Sequence, residues 1–289
     1  MLDRFGCVRS SLPLALSATL LCHAACRVEA PTEPEPLRAV DVTELAAGLE
    51  QGTVVLDVRD RAEFDAGHVP GAAWLDPGTL RATVDGVDGQ VAPRATAEVI
   101  FGEAGLDATD SVVIAGADNG TSPARVAWTL SYYGHEGSVA LLDGGMQAWA
   151  AAGREEVTDE APRGATGYLG GQTREALRVD KAWMLEHLDD NGVTIFDVRT
   201  PEEYTEGHIP GAINVNWTTN LSQDGTFLDA SEVRALHADP SADTLVVYCR
   251  TGSRAAVSWA LLRAAGYEDV RLYDGSWAEW GSDPDTPKE

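Results

Sequence analysis

The chain has 289 residues, enough for two domains of ordinary size, and 44% are hydrophobic, enough for buried cores. Its 46 acidic residues outweigh 21 Lys plus Arg, and the formal charge of −25 argues against nucleic acid as a partner. Three of the four cysteines (Cys7, Cys22, Cys26) fall in the first 26 residues and only Cys249 beyond them, so the globular part has no disulfide framework.

Residues 1–26 read as a signal peptide. Arg4 and Arg9 give a positive start, Leu12 to Leu21 a short apolar run broken by Pro13, and Ala24-Ala25 small residues at a cleavage point. The run is too short for a comfortable transmembrane helix. Ala24-Ala25-Cys26 resembles the end of a bacterial lipobox, with His23 where an aliphatic residue is usual. The resemblance implies lipidation at Cys26 and export to the periplasmic side of a bacterial membrane, anchored there by lipid. The alternative is cleavage near Cys26 without lipid. Residues 27–38 interleave Pro31, Pro34 and Pro36 with Glu29, Glu33 and Glu35, a composition that stays extended and suits a tether.

An internal repeat follows. Val54-Val55-Leu56-Asp57-Val58-Arg59 matches Val193-Thr194-Ile195-Phe196-Asp197-Val198-Arg199, and Gly67-His68-Val69-Pro70-Gly71-Ala72 matches Gly207-His208-Ile209-Pro210-Gly211-Ala212. An offset of 140 places Asp57 on Asp197 and His68 on His208; further on, 131 places Trp128 on Trp259 and Asp143 on Asp274. Each copy opens with a helix (42–50; 181–188) and a buried strand ending in Asp-Val-Arg. A His-Val/Ile-Pro-Gly turn leads to another strand. An apolar strand (112–114; 245–248) then runs through a loop into a helix, and a third (139–142; 270–273) precedes a Trp-containing helix. Strands alternating with helices predict an α/β fold, a parallel sheet in each copy flanked by helices. In such sheets ligands sit beyond the carboxyl ends of the strands.

One loop stands out. The strand Leu245-Val246-Val247-Tyr248 runs into Cys249-Arg250-Thr251-Gly252-Ser253-Arg254, and a helix is predicted over 255–265 with Gly266 at its C-terminal cap. Loop N–H groups and a helix N-terminus favour negative charge, and Arg250 and Arg254 add positive charge. Both stabilise a thiolate, the nucleophilic form of cysteine. An isolated free cysteine is usually a small buried hydrophobe, but such a residue needs no arginines beside it. The first copy carries Ala115 to Pro123 at this place, without a cysteine. Its loop is longer too: Val113 to Trp128 spans 15 positions, Val247 to Trp259 only 12. Copy one is therefore expected to be catalytically silent, serving either as a cover for the second site or as a stability partner.

His68 and His208 recur in both copies and read as structural, hydrogen-bonded to loop backbone. Asp57–Arg59 and Asp197–Arg199 recur likewise and read as loop-steadying ion pairs, with Arg199 kept as a candidate substrate contact. Trp217 and Trp277 could line a pocket, although tryptophan at such places is more often core. No His, Cys or carboxylate cluster has metal-ligand spacing.

The Cys249 loop after its Val-Val-Tyr strand resembles the active-site loop of rhodaneses, the sulfurtransferase family. Asp-Val-Arg and Gly-His-Ile-Pro-Gly-Ala resemble that family too, over residues 39–281. The resemblance implies two tandem rhodanese-like domains: a cysteine-free, inactive one at 39–153, a linker at 154–176, a catalytic one at 177–281 and a tail at 282–289. It implies Cys249 as the nucleophile, Arg250 to Arg254 (with Thr251, Gly252 and Ser253) as the loop holding an anionic sulfur donor, and no cofactor or metal. The expected reaction moves a sulfane sulfur through a Cys249 persulfide to cyanide or a thiol. Thiosulfate is favoured as donor because Arg250 follows the cysteine, where 3-mercaptopyruvate enzymes carry small uncharged residues. Glu203 stands where some thiosulfate enzymes of the family carry an arginine, so that contact is missing. A 3-mercaptopyruvate enzyme, a persulfide carrier without turnover and a cysteine phosphatase are the alternatives. The phosphatase loop places five residues between Cys and Arg; here four separate Cys249 from Arg254. The expected partners are small molecules, and the expected oligomeric state is a monomer.

The N-terminus gives a first prediction. One acyl chain binds membranes only marginally, so stable anchoring at Cys26 needs more than one. The full-length chain should partition into detergent, and Cys26→Ala should release it. A soluble wild-type protein with an unmodified N-terminus beyond Cys26 would contradict lipidation.

Overall fold

The computed structural model describes residues 37–158, 163–237 and 242–289. Cys7, Cys22, Cys26 and the leader lie outside the described residues, as does most of the 27–38 stretch.

Copy one runs β1 (Arg38–Val40), α1 (Val42–Glu50), β2 (Val54–Asp57), α2 (Arg61–Ala66), β3 (Ala73–Trp74), β4 (Arg81–Val84), β5 (Val87–Val91), α3 (Arg94–Glu103), β6 (Val112–Ala115), α4 (Thr121–Tyr132), β7 (Val139–Leu142) and α5 (Gly145–Ala151). Copy two runs β8 (Arg178–Val179), α6 (Lys181–Glu186), β9 (Val193–Asp197), α7 (Pro201–Glu206), β10 (Ile213–Asn214), α8 (Ala230–Leu236), β11 (Thr244–Tyr248), α9 (Ser253–Ala264), β12 (Val270–Tyr273) and α10 (Ser276–Trp280). The two five-stranded sheets have one topology: β1-β7-β6-β2-β3 and its counterpart β8-β12-β11-β9-β10, every pair parallel. The α/β expectation thus holds in both copies. The central strands are apolar throughout because helices cover both sheet faces.

Helix starts follow their caps. Asp41 accepts from the N–H groups of Thr43 and Glu44 while Glu44 returns a bond to the Asp41 N–H, fixing the start of α1. Thr200 and Glu203 do the same for α7. Helix α9 begins two residues earlier than predicted, at Ser253, because Gly252 caps it at φ +83°. Helix α6 ends at Glu186 rather than 188, where His187 takes the C-cap position and its Nδ1 turns back to the Trp183 carbonyl.

Helices α4 and α9 pack against each other, and their buried faces join both sheets in one core containing Trp128, Trp259, Phe196 and Ile114. They are buried nearly all round because each lies between its own sheet and the other copy. The antiparallel hairpin β4–β5 was not predicted, although Asp85-Gly86 between alternating residues signals it. Asp85 (φ +52°) and Gly86 (φ +81°) have the left-handed backbone that such a turn requires.

The copies embrace through crossed contacts. The Val91 N–H at the end of β5 donates to Asp274 Oδ2 at 2.8 Å, and the Phe227 N–H of copy two donates to Asp143 Oδ1 at 3.0 Å. Asp143 takes its second bond from Asn119 of its own copy, at 2.6 Å. Asp274 instead pairs with Arg125 Nη2 on α4, also at 2.6 Å, with Asp274 wholly buried and Arg125 2% exposed. Arg178 Nε lies 3.4 Å from Asp274 Oδ2, close enough for charge attraction.

Removing one partner of a buried ion pair leaves an uncompensated charge. Asp274→Ala should therefore cost about 3–5 kcal/mol in denaturant unfolding. Asp143→Ala, whose partners are neutral amides, should cost clearly less. Equal costs would show that the Arg125 charge is not held by Asp274.

Candidate active site

Strand β11 carries Cys249 to the carboxyl edge of its sheet, where the chain turns into α9. Cys249 is 1% exposed, so burial alone would fit an inert core cysteine. Cys249 borders the shared apolar core, but the loop that follows it is polar. The backbone N–H groups of Arg250, Thr251, Gly252, Ser253 and Arg254 find no acceptor among the described residues. Five successive free donors running through the loop into the first turn of a twelve-residue helix favour negative charge there. Gly252 is required here. Its φ of +83° disfavours a side chain, and a Cβ would lie 2.6 Å from Arg125 Nη1.

The cysteine backbone is fixed from below. Its N–H donates to Ser276 Oγ at 3.3 Å, and its carbonyl accepts from the Trp277 N–H at 3.0 Å. Ser276 holds a left-handed φ of +49°, an uncommon conformation for a residue with a side chain. Copy one has Gly145 at this position, at φ +57°. The strained serine therefore coincides with the copy that has a cysteine to hold. Sequence reading missed Ser276; the contrast of Asp143-Gly144-Gly145 with Asp274-Gly275-Ser276 would have revealed it.

Hydrogen-bond register identifies the residue that stands in the Cys249 position of copy one. Met146 N–H bonds the Gly116 carbonyl as Trp277 N–H bonds that of Cys249. Gly116 thus occupies the cysteine position, and a Cβ there would meet Pro123 Cγ at 2.6 Å. The first loop has no room for a side chain at the reactive position.

The loop arginines behave differently from one another. Arg250 is exposed and has no partner among the described residues; it borders a cleft of about 450 Å³ with Glu203, Glu206 and Trp277. Arg254, expected to help hold the donor anion, is paired bidentately with Glu203 at 2.6 and 2.9 Å and also interacts with Cys249. The carboxylate that occupies the place of the family arginine is what captures it. These hydrogen bonds hold the Glu203 carboxyl down at about 2, against the opposing effect of burial.

Arg199, the candidate substrate contact, lines the same cleft and is held in place by the protein itself. Its Nε and Nη2 bind Asp197, Nη2 also donates to the Gly207 carbonyl, and the guanidinium lies 4.5 Å over Trp277. It is a buried brace, matching Arg59 on Asp57 and the Gly67 carbonyl in copy one. Tyr248 completes the brace by donating to Asp197 Oδ2 at 2.7 Å. His68 and His208 bond the carbonyls of Phe64 and Tyr204 and stack on those rings, so their backbone partners belong to the preceding helix rather than the loop. Trp277 lines the 450 Å³ cleft, while Trp217 packs against the shared core. Among the described residues no group of three or more His, Cys, Asp or Glu could hold a metal.

Sequence reading also missed two cations from copy one. Arg81 Nη2, on β4, donates to Thr251 Oγ1 at 3.0 Å and lies 3.3 Å from the Thr251 carbonyl. Arg125 packs against Gly252. Only the hairpin and the α4–α9 packing bring them to the cysteine loop.

A cysteine followed by loop N–H groups without acceptors stands at the carboxyl edge of one sheet of a duplicated parallel α/β fold. Residues 41–152 and 180–283 each match the rhodanese-like domain, and the chain belongs to that family. A Corynebacterium glutamicum protein named thiosulfate sulfurtransferase is 36% identical over 273 residues, covering 86% of this chain and 88% of the relative. A Saccharopolyspora erythraea relative, provisionally named for the same activity, is 32% identical over 252 residues, covering 80% and 88%. Among solved structures, an EanB variant in complex with hercynine superposes with a TM-score of 0.77 at 25% identity, covering 87% of this chain and 69% of that one.

The Glu203–Arg254 pair predicts a pH signature. The lowered carboxyl contributes stability above its ordinary value of 4.5, and that contribution is lost as pH falls toward 2. The pair is partly exposed, so Glu203→Gln should cost only about 1 kcal/mol at pH 7. Denaturant unfolding near pH 3 should show a smaller gap between variant and wild type. A gap that widens on acidification would contradict the pairing.

Proposed function

We propose that the protein is a thiosulfate-type sulfurtransferase in which Cys249 carries the sulfur. Its class is that of the sulfurtransferases, and the observation that carries the finer reading is the run of free N–H groups from Arg250 to Arg254 after the cysteine. The Cys249 thiolate attacks the outer sulfur of thiosulfate. A new S–S bond forms, the old one breaks, and sulfite leaves with the electron pair. The resulting persulfide anion takes the free N–H groups of the loop as donors, which lowers its energy as an oxyanion hole does. Cyanide or a thiol then takes the outer sulfur and regenerates the thiolate.

Donor preference follows from charge. Thiosulfate is a compact dianion, and the field of a chain at −25 opposes its approach. Arg250 is the exposed, unpaired loop cation available to counter that field, since Glu203 neutralises Arg254. The relatives named thiosulfate sulfurtransferase support this donor over 3-mercaptopyruvate. A persulfide carrier without turnover would need no preference among small donors. We propose also that the protein acts as a monomer on the exported side of the membrane, held by Cys26.

Steady-state turnover of both donors on the purified chain tests the reading. Cys249→Ser should abolish turnover. Arg250→Gly should raise KM for thiosulfate about ten- to a hundredfold, the loss of one charge-assisted contact, and raise it less for 3-mercaptopyruvate. Faster turnover of mercaptopyruvate by the wild type at matched low concentrations would overturn the donor assignment.

A further inference from the structure

The interface between the copies is pseudo-symmetric, but its charge is not. Under the offset of 140, Arg81 corresponds to Leu221, and each pairs across its own turn, Arg81 with Val91 and Leu221 with Phe227. Under the offset of 131, Arg125 corresponds to Ala256. Arg81 and Arg125 face the Cys249 loop through Thr251 and Gly252. Their copy-two counterparts belong to elements facing the cysteine-free side, where Gly225 touches Asn119. At these two positions the charge therefore stands on the half of the interface that meets Cys249.

These cations are under-used by the protein. Arg81 Nε, Arg125 Nε and Arg125 Nη1 are buried and find no hydrogen-bond acceptor among the described residues. A buried charged donor without an acceptor is costly, and an anion brought to it recovers that cost. Arg81 also walls an open cleft of about 290 Å³ between the copies, together with Thr83, Asp88, Gly89 and Thr251. Burial and the neighbouring Arg125 charge pull Arg81 below the ordinary arginine value, while the Cys249 and Asp274 charges pull it back up.

We propose that Arg81 of the cysteine-free copy, backed by Arg125, is a donor-binding residue of the Cys249 site and holds the oxyanion end of a compact sulfur dianion. The inference rests on the sulfurtransferase reading above and assigns copy one a direct part in it. The dianion enters from the cleft side of the loop, and Arg81 faces its sulfonate oxygens while the outer sulfur meets Cys249. When the S–S bond of the donor breaks, the electron pair leaves on sulfite, and Arg81 offsets the added charge. Arg125, tied to Asp274, is a positioning residue that keeps Gly252 and Arg81 in place.

The test separates the two half-reactions of the intact chain. Arg81→Gln keeps a donor for Thr251 but removes the charge. It should lower kcat/KM for thiosulfate about ten- to a hundredfold while leaving kcat/KM for cyanide within about twofold, because cyanide meets the persulfide after sulfite has gone. Arg81→Lys should restore part of the thiosulfate term. A residue that only shapes the loop would lower both terms together, since both half-reactions use Cys249; that result, or no change in either, would overturn the proposal. If the wild type forms no persulfide from thiosulfate, the sulfurtransferase reading itself fails. Persulfide formation in the wild type with an unaffected Arg81→Gln variant defeats this inference alone.

Discussion

The carboxylate of Asp274 is the point on which the second site depends. It lies at the end of β12, wholly buried, and receives Val91 N–H and Arg125 Nη2 from copy one. Its Oδ1 is also 3.2 Å from where a Cβ on Gly252 would stand, so the same carboxylate lies against the cysteine loop. Two residues further on, Ser276 holds the Cys249 N–H. One buried charge thereby links the hairpin of copy one, helix α4 and the nucleophile's backbone. Such a charge is stable only when paired, and its tightest partner, Arg125, comes from copy one.

This dependence explains why a copy without a nucleophile has its particular residues. Copy one has Gly116 for Cys249, Gly145 for Ser276 and Ala115 for Tyr248, as the strand registers Asp57–Ala115 and Asp197–Tyr248 show. It lacks the thiol, the strained serine beneath it and the tyrosine that braces Asp197. Burial and the Asp197 charge push the Tyr248 hydroxyl well up, so it stays a proton donor to that carboxylate. In exchange, copy one carries Arg81 and Arg125, which have no cationic counterparts in copy two. Duplication supplied two similar frames, and a few side chains divided the work between them.

Much of this was legible in the chain. The 140 and 131 offsets placed the copies, and the apolar runs placed two of the long strands of each sheet (112–114 and 139–142; 245–248 and 270–273) within a residue of their observed ends, while the strand expected to end in Asp-Val-Arg stops at the aspartate. Cys249 was placed at a strand's carboxyl edge by pattern alone. The arginines were less legible. Arg199 and Arg254 look alike in sequence as cations near the site, yet Asp197 and Glu203 occupy both. Sequence spacing gives Asp197–Arg199 as a local pair, but the Glu203–Arg254 pair spans α7 and α9 and depends on how those elements pack. Arg81 and Arg125 were hidden for the same reason: a contact across 170 residues has no local signature. Ser276 and the β4–β5 hairpin, by contrast, did have signals, in the comparison of the copies and in Asp85-Gly86.

The central claim is that Cys249 carries the donor's outer sulfur as a covalent intermediate. Thiosulfate isotopically labelled at that sulfur alone, mixed with the protein and quenched before acceptor is added, tests it most directly. Peptide mass mapping should find the label on Cys249 and nowhere else, and a cyanide chase should move it quantitatively into thiocyanate. Labelled thiocyanate formed without any labelled Cys249 peptide would contradict the account.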